Sequence, residues 1–549
     1  MPYRFPIVGL LFAAAAFGQL ASFPKPSYFR QTFSRPVTKI ELKAPARLPD
    51  YVVGGKLELS LRSYLELVMS NNTDIAIQRL TVEVAQNAIT RAFAAFDPFA
   101  TGSFTSTRQK TPASQSLQGA ATLVQLTQPA SFSYAQTLPT GTQYNVGFSG
   151  QKVSTNSGFY NFNPALSTSL GVSFLQPLIR NRGTFVNRLP IMVATSRLRR
   201  TEYDLGSSVL QLVSDAENAY WDVVLARENL RVAESAQDLA DQALKRAKRE
   251  LELGALSPLD IYNPEQQFAT SQIGVSQAKF FLQQTESALR KQIGADLDPD
   301  VRKLPIVLTE TVAPTVDAPP IDSEKEVDRA MATRPEIKSA TQNLDIDELQ
   351  VRNARNSLLP DLSLTAGYTS QGVGGIYYPQ TSTIGGDVVA TPSLVPIPGG
   401  FGDALSQLFG FGYPVYSFGL QLRLPIKNHQ ASADMADALV AKRRDALNVR
   451  TVQQQVRLDV LNAVSQVESS KAAMKLSVVA LEFARKYLEA EQKKYELGTS
   501  TIFFVLQAQG ALVSAESSVV QNSVAYRRNQ MSLLRRTGEL LEARGIALK

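Results

Sequence analysis

One heptapeptide pattern occurs twice in this 549-residue chain and decides its organisation. Residues 251–257 read Leu-Glu-Leu-Gly-Ala-Leu-Ser, and residues 495–501 read Tyr-Glu-Leu-Gly-Thr-Ser-Thr. The two copies lie at an offset of 244 residues, and Gly294 falls on Gly538 at the same offset. Self-similarity that is kept in register over this length indicates duplication. The chain is therefore interpreted as two tandem copies of one unit.

Each glycine of the repeated pattern ends a long stretch with helical periodicity, at about residues 184–253 in the first copy and 428–497 in the second. In the first copy, apolar or small residues alternate at spacings of four and three, a heptad seam. They are Leu205, Val209, Leu212, Ala216, Ala219, Val223, Ala226 and Leu230. A 70-residue helix is about 100 Å long, more than a compact domain needs. An ordinary coiled-coil dimer would explain this seam but no other feature of the chain.

Strand-like segments precede each long helix, and their residues alternate between apolar and small or polar. The apolar positions are Tyr144, Val146, Phe148, Leu170, Val172 and Phe174 in the first copy, and Leu362, Leu364, Ala366, Tyr368, Tyr416, Phe418, Leu420 and Leu422 in the second. This alternation is typical of a membrane β-barrel with lipid outside and water inside, although a soluble sandwich would show it too.

The strand count predicts an assembly of several chains. The second copy offers two strands, and the first offers two, or four if the turn at residues 138–142 joins an additional hairpin. The smallest membrane barrel has eight strands, and open strand edges are not tolerated in lipid. Several protomers must therefore share one barrel.

The amino-acid composition argues against enzymatic activity in this protein. The chain has no cysteine and a single histidine, His429, which excludes disulfides and thiolate metal sites and disfavours a histidine-centred triad. The formal net charge of +7 is modest for the length and gives no reason to expect nucleic-acid binding. We expect no enzymatic activity, no cofactor and no metal site.

The ends and the linker complete the expected domain organisation. Residues 1–21 read as a secretory signal peptide, with Arg4 before an apolar stretch and small residues after it. An N-terminal periplasmic segment (22–58), a first repeat (59–297), a Pro-rich connector (298–324) and a second repeat (325–549) follow. Strands are expected at about 98–178 and 361–425. No other run is apolar and long enough for a spanning helix, so the exported protein is expected to be either soluble, in the periplasm or secreted, or an outer-membrane β-barrel.

Taken together, these features resemble the outer-membrane efflux protein family, the TolC-like channels. The resemblance rests on the twofold repeat, the two Leu-Gly-x-x-Ser/Thr turns and three short motifs. The motifs are Ala219-Tyr-Trp-Asp222, Gln176-Pro-Leu178 and Leu424-Pro-Ile426. The resemblance implies an α+β membrane protein, in which a homotrimer shares a 12-stranded outer-membrane β-barrel with four strands per protomer. That barrel would continue into a long periplasmic α-helical, coiled-coil barrel.

The resemblance also implies a function and partners. The trimer would be the passive exit duct of a tripartite efflux pump or a type I secretion system. A periplasmic adaptor (membrane-fusion) protein would bind it, an inner-membrane pump or ABC transporter would be an indirect partner, and outer-membrane lipid would surround it. The alternative is a surface-exposed structural or adhesive coiled-coil protein without channel activity, which would not need strands twice per chain.

Three groups of site residues follow from the resemblance. An adaptor-docking tip would comprise Leu253, Gly254, Ser257, Leu497, Gly498 and Thr501. The alternative for these residues is a purely structural helical hairpin. Strand–helix transitions are expected at Pro98, Pro177, Pro360 and Pro425, because proline ends either kind of hydrogen-bond ladder.

The third group is the aperture or gate. Family members with an acidic constriction place aspartates six and nine residues after the second tip glycine, where this chain has Phe504 and Gln507. The substitution predicts a hydrophobic constriction at Phe504 with Gln507 near it, or else a Phe504 that packs between helices. Asp260 and Tyr495 keep the family's residue types, and a Tyr495–Asp260 hydrogen bond is predicted to hold the tip closed.

Overall fold

The computed structural model describes residues 47–112, 120–157, 160–254, 257–311, 321–378 and 397–546. The predicted signal peptide lies outside the described residues. The strands are β1 (Val52–Val53), β2 (Lys56–Leu59), β3 (Phe99–Phe104), β4 (Thr107–Pro112), β5 (Thr122–Thr137), β6 (Gln143–Thr155), β7 (Phe162–Pro177), β8 (Ile306–Leu308), β9 (Asp361–Tyr377) and β10 (Pro414–Arg423). The helices are α1 (Leu61–Asn71), α2 (Thr73–Ala92), α3 (Thr184–Asn187), α4 (Leu189–Glu252), α5 (Tyr262–Gln292), α6 (Ser323–Thr333), α7 (Pro335–Ser357), α8 (Phe401–Phe409), α9 (His429–Glu496), α10 (Ile502–Thr537) and α11 (Leu540–Ala543).

The large sheet is antiparallel throughout and has the order β10-β9-β7-β6-β5-β3, with β4 also paired to β5. β3 lies opposite residues 130–135 of β5, and β4 lies opposite residues 122–127. These two short strands therefore occupy one strand position in succession. The sheet is six positions wide, and no described strand pairs with its outer edges at β10 and at β3 and β4.

The first repeat contributes four of these positions because β5 and β6 form a tight hairpin. The amide of Leu138 donates to the carbonyl of Thr142 at 2.7 Å, and Gly141 has a φ of +89°, which favours glycine. The larger of the two strand counts drawn from the sequence is therefore right. The four strands per protomer that the family resemblance implied are wrong for this chain, because its described residues already form six strand positions.

The strand register separates the sheet into an apolar face and a polar face. On one face Leu364 lies opposite Leu420, and Ala366 lies opposite Phe418. On the other face, hydroxyl pairs join neighbouring strands, as between Ser149 and Ser169 at 2.7 Å between their Oγ atoms. Successive side chains of a strand point to opposite faces, so the alternation seen in the sequence becomes two chemically different surfaces.

Two very long helices leave the sheet. α4 has 64 residues and α9 has 68, so each is about 100 Å long at 1.5 Å per residue. α4 begins at Leu189, slightly later than the sequence suggested, because Pro190 fits only the first turn of a helix. α9 begins after Asn428, whose side chain accepts a hydrogen bond from the amide of Ala431 at 3.1 Å. α5 packs along α4, and α10 packs along α9.

The main hydrophobic core surrounds the middle of α4. It includes Val213, Tyr220 and Val223 of that helix, together with residues of the small sheet β1-β2-β8. β8 runs parallel to β2 and lies within the connector predicted at 298–324. This strand was missed because three residues flanked by proline-rich sequence carry too little periodicity to be recognised.

Among the described residues, one helix, α10, is long and apolar enough by length and composition alone to cross a membrane. Its contacts are nevertheless those of a bundle helix. Val524 and Met531 belong to the main core, and Leu506 packs beside Ala243 of α4. These contacts place α10 among the other helices along its length.

A buried ion pair fixes α11 to the core. The carboxylate of Glu217 in α4 is 1% exposed and accepts two hydrogen bonds from Arg544, at 2.6 and 3.0 Å. The indole Nε1 of Trp221 lies 3.4 Å from the same carboxylate. A carboxylate buried this deeply is stable only while its partner is present.

We therefore expect Arg544→Ala to lower the free energy of unfolding by about 3 kcal/mol, because it leaves the Glu217 charge buried without a partner. The measurement is thermal and denaturant unfolding of the purified protein in detergent, followed by helical circular dichroism. Arg231→Ala is the control, since Arg231 and Glu228 form an exposed pair that should matter by less than about 1 kcal/mol. Equal losses in the two variants would contradict the role of Glu217.

Candidate functional site

The two repeated glycines form the turns at the far end of the long helices. Gly254 and Gly498 both have a φ of +72°, and each donates its amide to a carbonyl three residues earlier at 3.0 Å. A Cβ atom at either glycine would meet nothing within 4 Å. Backbone conformation rather than lack of space therefore requires glycine here.

Each turn presents an exposed leucine. Leu253 is 83% exposed and Leu497 is 79% exposed, which is unusual for such large apolar side chains. Ser257 and Thr501 follow the turns and are also exposed, and Thr501 precedes the first residue of α10. The tip residues predicted from the sequence thus lie on the surface at the ends of the two hairpins.

A cluster of four side chains joins the end of α4 to the end of α9. The hydroxyl of Tyr495 donates to the carboxylate of Glu250, and the guanidinium of Arg246 lies 4.7 Å from the centre of the Tyr495 ring. Arg246 also pairs with Glu250 at 2.9 Å and with Glu496 at 3.9 Å. We call Arg246, Glu250, Tyr495 and Glu496 the tip cluster.

The tip cluster corrects one prediction. Tyr495 was expected to bond Asp260, but its hydroxyl donates to Glu250 instead. Glu250 lies on α4 one turn before the tip, whereas Asp260 lies in the turn that follows it. The spacing of Arg246 and Glu250, four residues apart on a helix, was the signal that could have pointed to this partner.

The environment keeps Tyr495 a hydrogen-bond donor. Burial, followed by the hydrogen bond to Glu250, raises the pKa of Tyr495 to about 12. Asp260 contributes only through a weaker electrostatic effect in the same direction. The phenol therefore stays protonated at neutral pH, and its bond to the carboxylate persists.

The second turn is also closed within its own hairpin. The hydroxyl of Ser500 donates to the carboxylate of Glu491 at 3.0 Å. Lys494 pairs with the same carboxylate at 2.6 Å. This contact holds the residues that follow Gly498 against α9 and does not reach the first repeat.

The predicted aperture residues share one face of α10. Phe504 is 46% exposed and Gln507 is exposed, whereas Val505 and Leu506 on the opposite side are buried. Phe504 is therefore not enclosed by the helices of its own chain. Its neighbour Phe503 is exposed as well, and the two rings meet edge to face with centroids 5.6 Å apart. Phe503 was missed because only the positions equivalent to the family's aspartates were considered.

The four prolines lie where strands meet helical segments. Pro98 precedes β3 and Pro360 precedes β9, Pro177 is the last residue of β7, and Pro425 follows the end of β10. Each position is one at which the missing N–H of proline costs no ladder hydrogen bond. In the parts of the chain that the structure describes, no group of three or more His, Cys, Asp or Glu side chains could hold a metal ion.

Comparison with known proteins identifies a family and several relatives that share this architecture. The family model described as "outer membrane efflux protein" matches residues 64–295 and 327–539, that is, both repeats. The pyoverdine export outer membrane protein OpmQ of Pseudomonas aeruginosa is 22% identical over 404 residues, which cover 71% of this chain and 73% of that protein. The outer membrane protein TolC of Vibrio cholerae is 22% identical over 378 residues, 68% of this chain and 77% of that protein.

Solved structures share the fold. The crystal structure of the CmeC outer membrane channel of Campylobacter jejuni superposes with a TM-score of 0.60 at 16% sequence identity. The match covers 92% of this chain and 91% of that channel. The TolC-like fold inferred from the sequence is thereby confirmed.

The tip cluster yields a test that separates the observed partner from the one expected from sequence. Tyr495→Phe and Glu250→Gln each weaken a hydrogen bond to a charged group, which should cost about 1 kcal/mol at this partly exposed site. Local opening of the tip should then become about fivefold more frequent. Limited trypsin cleavage at the lysines and arginines of the tip measures that frequency.

Asp260→Asn is the matched control and should leave the rate of tip cleavage unchanged. The assignment of Glu250 as partner is wrong if Asp260→Asn accelerates cleavage as much as Tyr495→Phe does, or if neither Tyr495→Phe nor Glu250→Gln has an effect.

Proposed function

The chain belongs to the outer membrane efflux protein family, and from that membership we propose that three copies form the exit duct of a tripartite efflux pump or a type I secretion system. As a member of that family it is an outer-membrane efflux channel protein. The finer proposal concerns its assembly, its aperture and the partner that binds its tip.

The observation that carries the proposal is the six-position sheet with one apolar face and two free edges. Six strands cannot close a membrane barrel, and an unpaired edge in hydrocarbon leaves backbone groups without partners. Pairing β10 of one copy with β3 and β4 of the next satisfies both edges. Family members form homotrimeric channels, and three copies of this chain would supply 18 strands.

A barrel of 18 strands leaves an aqueous channel, whereas one of eight is filled by its own side chains. The polar face of the sheet suits such a lumen, because serine, threonine and glycine dominate it around Ser149, Ser169 and Ser417. We propose that substrates pass through this water-filled lumen without any chemical step.

At the other end, the exposed leucines of the two turns support adaptor docking. Leu253 and Leu497 each stand beside a glycine, so a partner helix could approach the backbone closely and cover the leucine. A periplasmic adaptor with a helical hairpin is the partner that this surface fits. Phe504, with Phe503 and Gln507, would form a hydrophobic aperture just inside that tip.

Cross-linking tests the shared barrel. The chain has no native cysteine, so we combine Ser103→Cys in β3 with a cysteine at Val415, Ser417, Gly419 or Gln421 in β10. At least one pair should form disulfide-linked trimers under oxidation, because the two edges face each other between copies. Denaturing electrophoresis measures the mass.

Ser149→Cys with Ser169→Cys is the control, since these residues already face each other within one chain. That pair should oxidise without any increase in mass. Oxidation of the control with no intermolecular product from any of the four edge pairs would refute the shared barrel.

Conductance tests the aperture. We expect Phe504→Ser to raise single-channel conductance in planar bilayers roughly twofold, because the aromatic ring narrows a hydrophobic constriction. Phe280→Ser, which removes an exposed aromatic ring from α5, should not change it. Unchanged conductance in Phe504→Ser would instead favour a Phe504 that packs between helices of neighbouring copies.

A further inference from the structure

A short amphipathic helix lies on the apolar face of the large sheet. α8 (Phe401–Phe409) belongs to the segment that joins β9 to β10, and it packs against β9 and β7. These strands are in the interior of the sheet, so α8 leaves both free edges open to neighbouring copies.

The sheet is shaped to receive this helix. A Cβ atom at Gly372 would lie 2.0 Å from the carbonyl oxygen of Ala404, and one at Gly374 would lie 2.3 Å from that of Gly400. Hydroxyls of the strands bond to the helix backbone, from Thr168 to Ala404 at 3.1 Å and from Ser370 to Leu408 at 2.8 Å. Ala404 and Leu408 are fully buried as a result.

The strand register shows which face α8 covers. Ser370, Gly372 and Gly374 share the parity of Leu364 and Tyr368 along β9, so their side chains point to the apolar face. The helix therefore lies outside the proposed barrel, on the surface that would contact lipid, and not within the lumen.

The height of the apolar band explains why a helix is useful there. Large apolar residues on β9 run from Leu362 to Tyr368, about 20 Å along the strand and about 16 Å in height for a strand tilted by about 40°. An outer-membrane barrel needs a band about 25 Å tall. Beyond Tyr368, the next residues of β9 on this face are Ser370, Gly372 and Gly374, which α8 covers, and Ile376 follows only near the end of the strand.

α8 and the residues after it place apolar surface over this stretch of small residues. Phe409 is 58% exposed, and Phe401, Phe411 and Tyr413 are exposed as well. The only charged side chain of the helix, Asp403, accepts a hydrogen bond from the amide of Gly400 at 2.7 Å. Exposed aromatic residues on a nearly uncharged helix are typical of the boundary between headgroups and acyl chains.

We propose that α8 is an interfacial anchor, which lies in the outer leaflet and contacts lipid at the headgroup–acyl boundary through Phe401 and Phe409. The inference rests on the proposed function, because it requires the apolar face of the sheet to be the lipid-facing face. It assigns to this loop helix the completion of the hydrophobic band, continuous with the strand residues Tyr368, Tyr416 and Phe418.

Spin labelling of single cysteines tests the proposal on the full chain. Nitroxide labels are placed at Phe409→Cys, at Phe418→Cys on the apolar strand face, and at Gln421→Cys on the polar face. The trimer is reconstituted in vesicles of phosphatidylcholine and phosphatidylglycerol, and collisions with oxygen and with a soluble nickel complex are compared. The ratio of oxygen to nickel collisions at position 409 should lie within about threefold of that at 418, and about tenfold or more above that at 421.

The outcomes separate the two proposals. A label at 409 that behaves like 421, while 418 remains in lipid, overturns the anchor and leaves the barrel intact. A label at 418 that behaves like 421 overturns the barrel itself. A label at 409 that collides with neither reagent means that protein covers α8, which also overturns the anchor. In Gly372→Val, which removes the seat of the helix, the label at 409 should shift towards the nickel complex while 418 stays unchanged.

Discussion

The backbone of a strand cannot leave its N–H and C=O groups unpaired in hydrocarbon, and the rest of this structure depends on that constraint. The described part of this chain has six strand positions, and in the proposed barrel its two free edges pair with those of neighbouring copies. In that barrel, oligomerisation is a requirement of the membrane part rather than a later addition. The regular alternation of polar and apolar residues has a separate cause, because in the proposed barrel one face of the antiparallel sheet meets water and the other meets lipid.

The helical part obeys a different rule, because water surrounds it and helices satisfy their own backbone. Its stability instead requires that the apolar stripe of each long helix be buried along about 100 Å. Alanine and valine along α4 and α9 allow close approach of neighbouring helices, and a conventional core around Tyr220 anchors the middle. The prolines at the strand ends lie at the junctions between the sheet and the helical part.

Periodic features could be predicted from the sequence, and single contacts could not. The duplication, the heptad seam and the alternating strands extend over many residues, so each pattern recurs at many positions and can be recognised in the sequence. β3 and β4 lack that length, and their division of one strand position is set by pairing with β5, which no local pattern encodes. The hydrogen bond from Tyr495 to Glu250 depends on how α4 and α9 are rotated about their axes, which no local pattern encodes. The family resemblance therefore led to Asp260 as the predicted partner. α8 escaped notice because nine residues in a glycine-rich loop resemble any other short apolar run.

The uninterrupted course of α4 has a mechanical consequence. Tyr220 is held in the main core, and Glu250 at the tip belongs to the same rigid helix 30 residues later, about 45 Å away. The core is thus a fulcrum and the distal half of α4 is a lever arm. A tilt of about 5° at the fulcrum displaces the far end by about 4 Å, more than the length of one hydrogen bond. A tilt of α4 near Tyr220 would therefore change distances at the tip by more than the length of a contact, without a hinge along the helix.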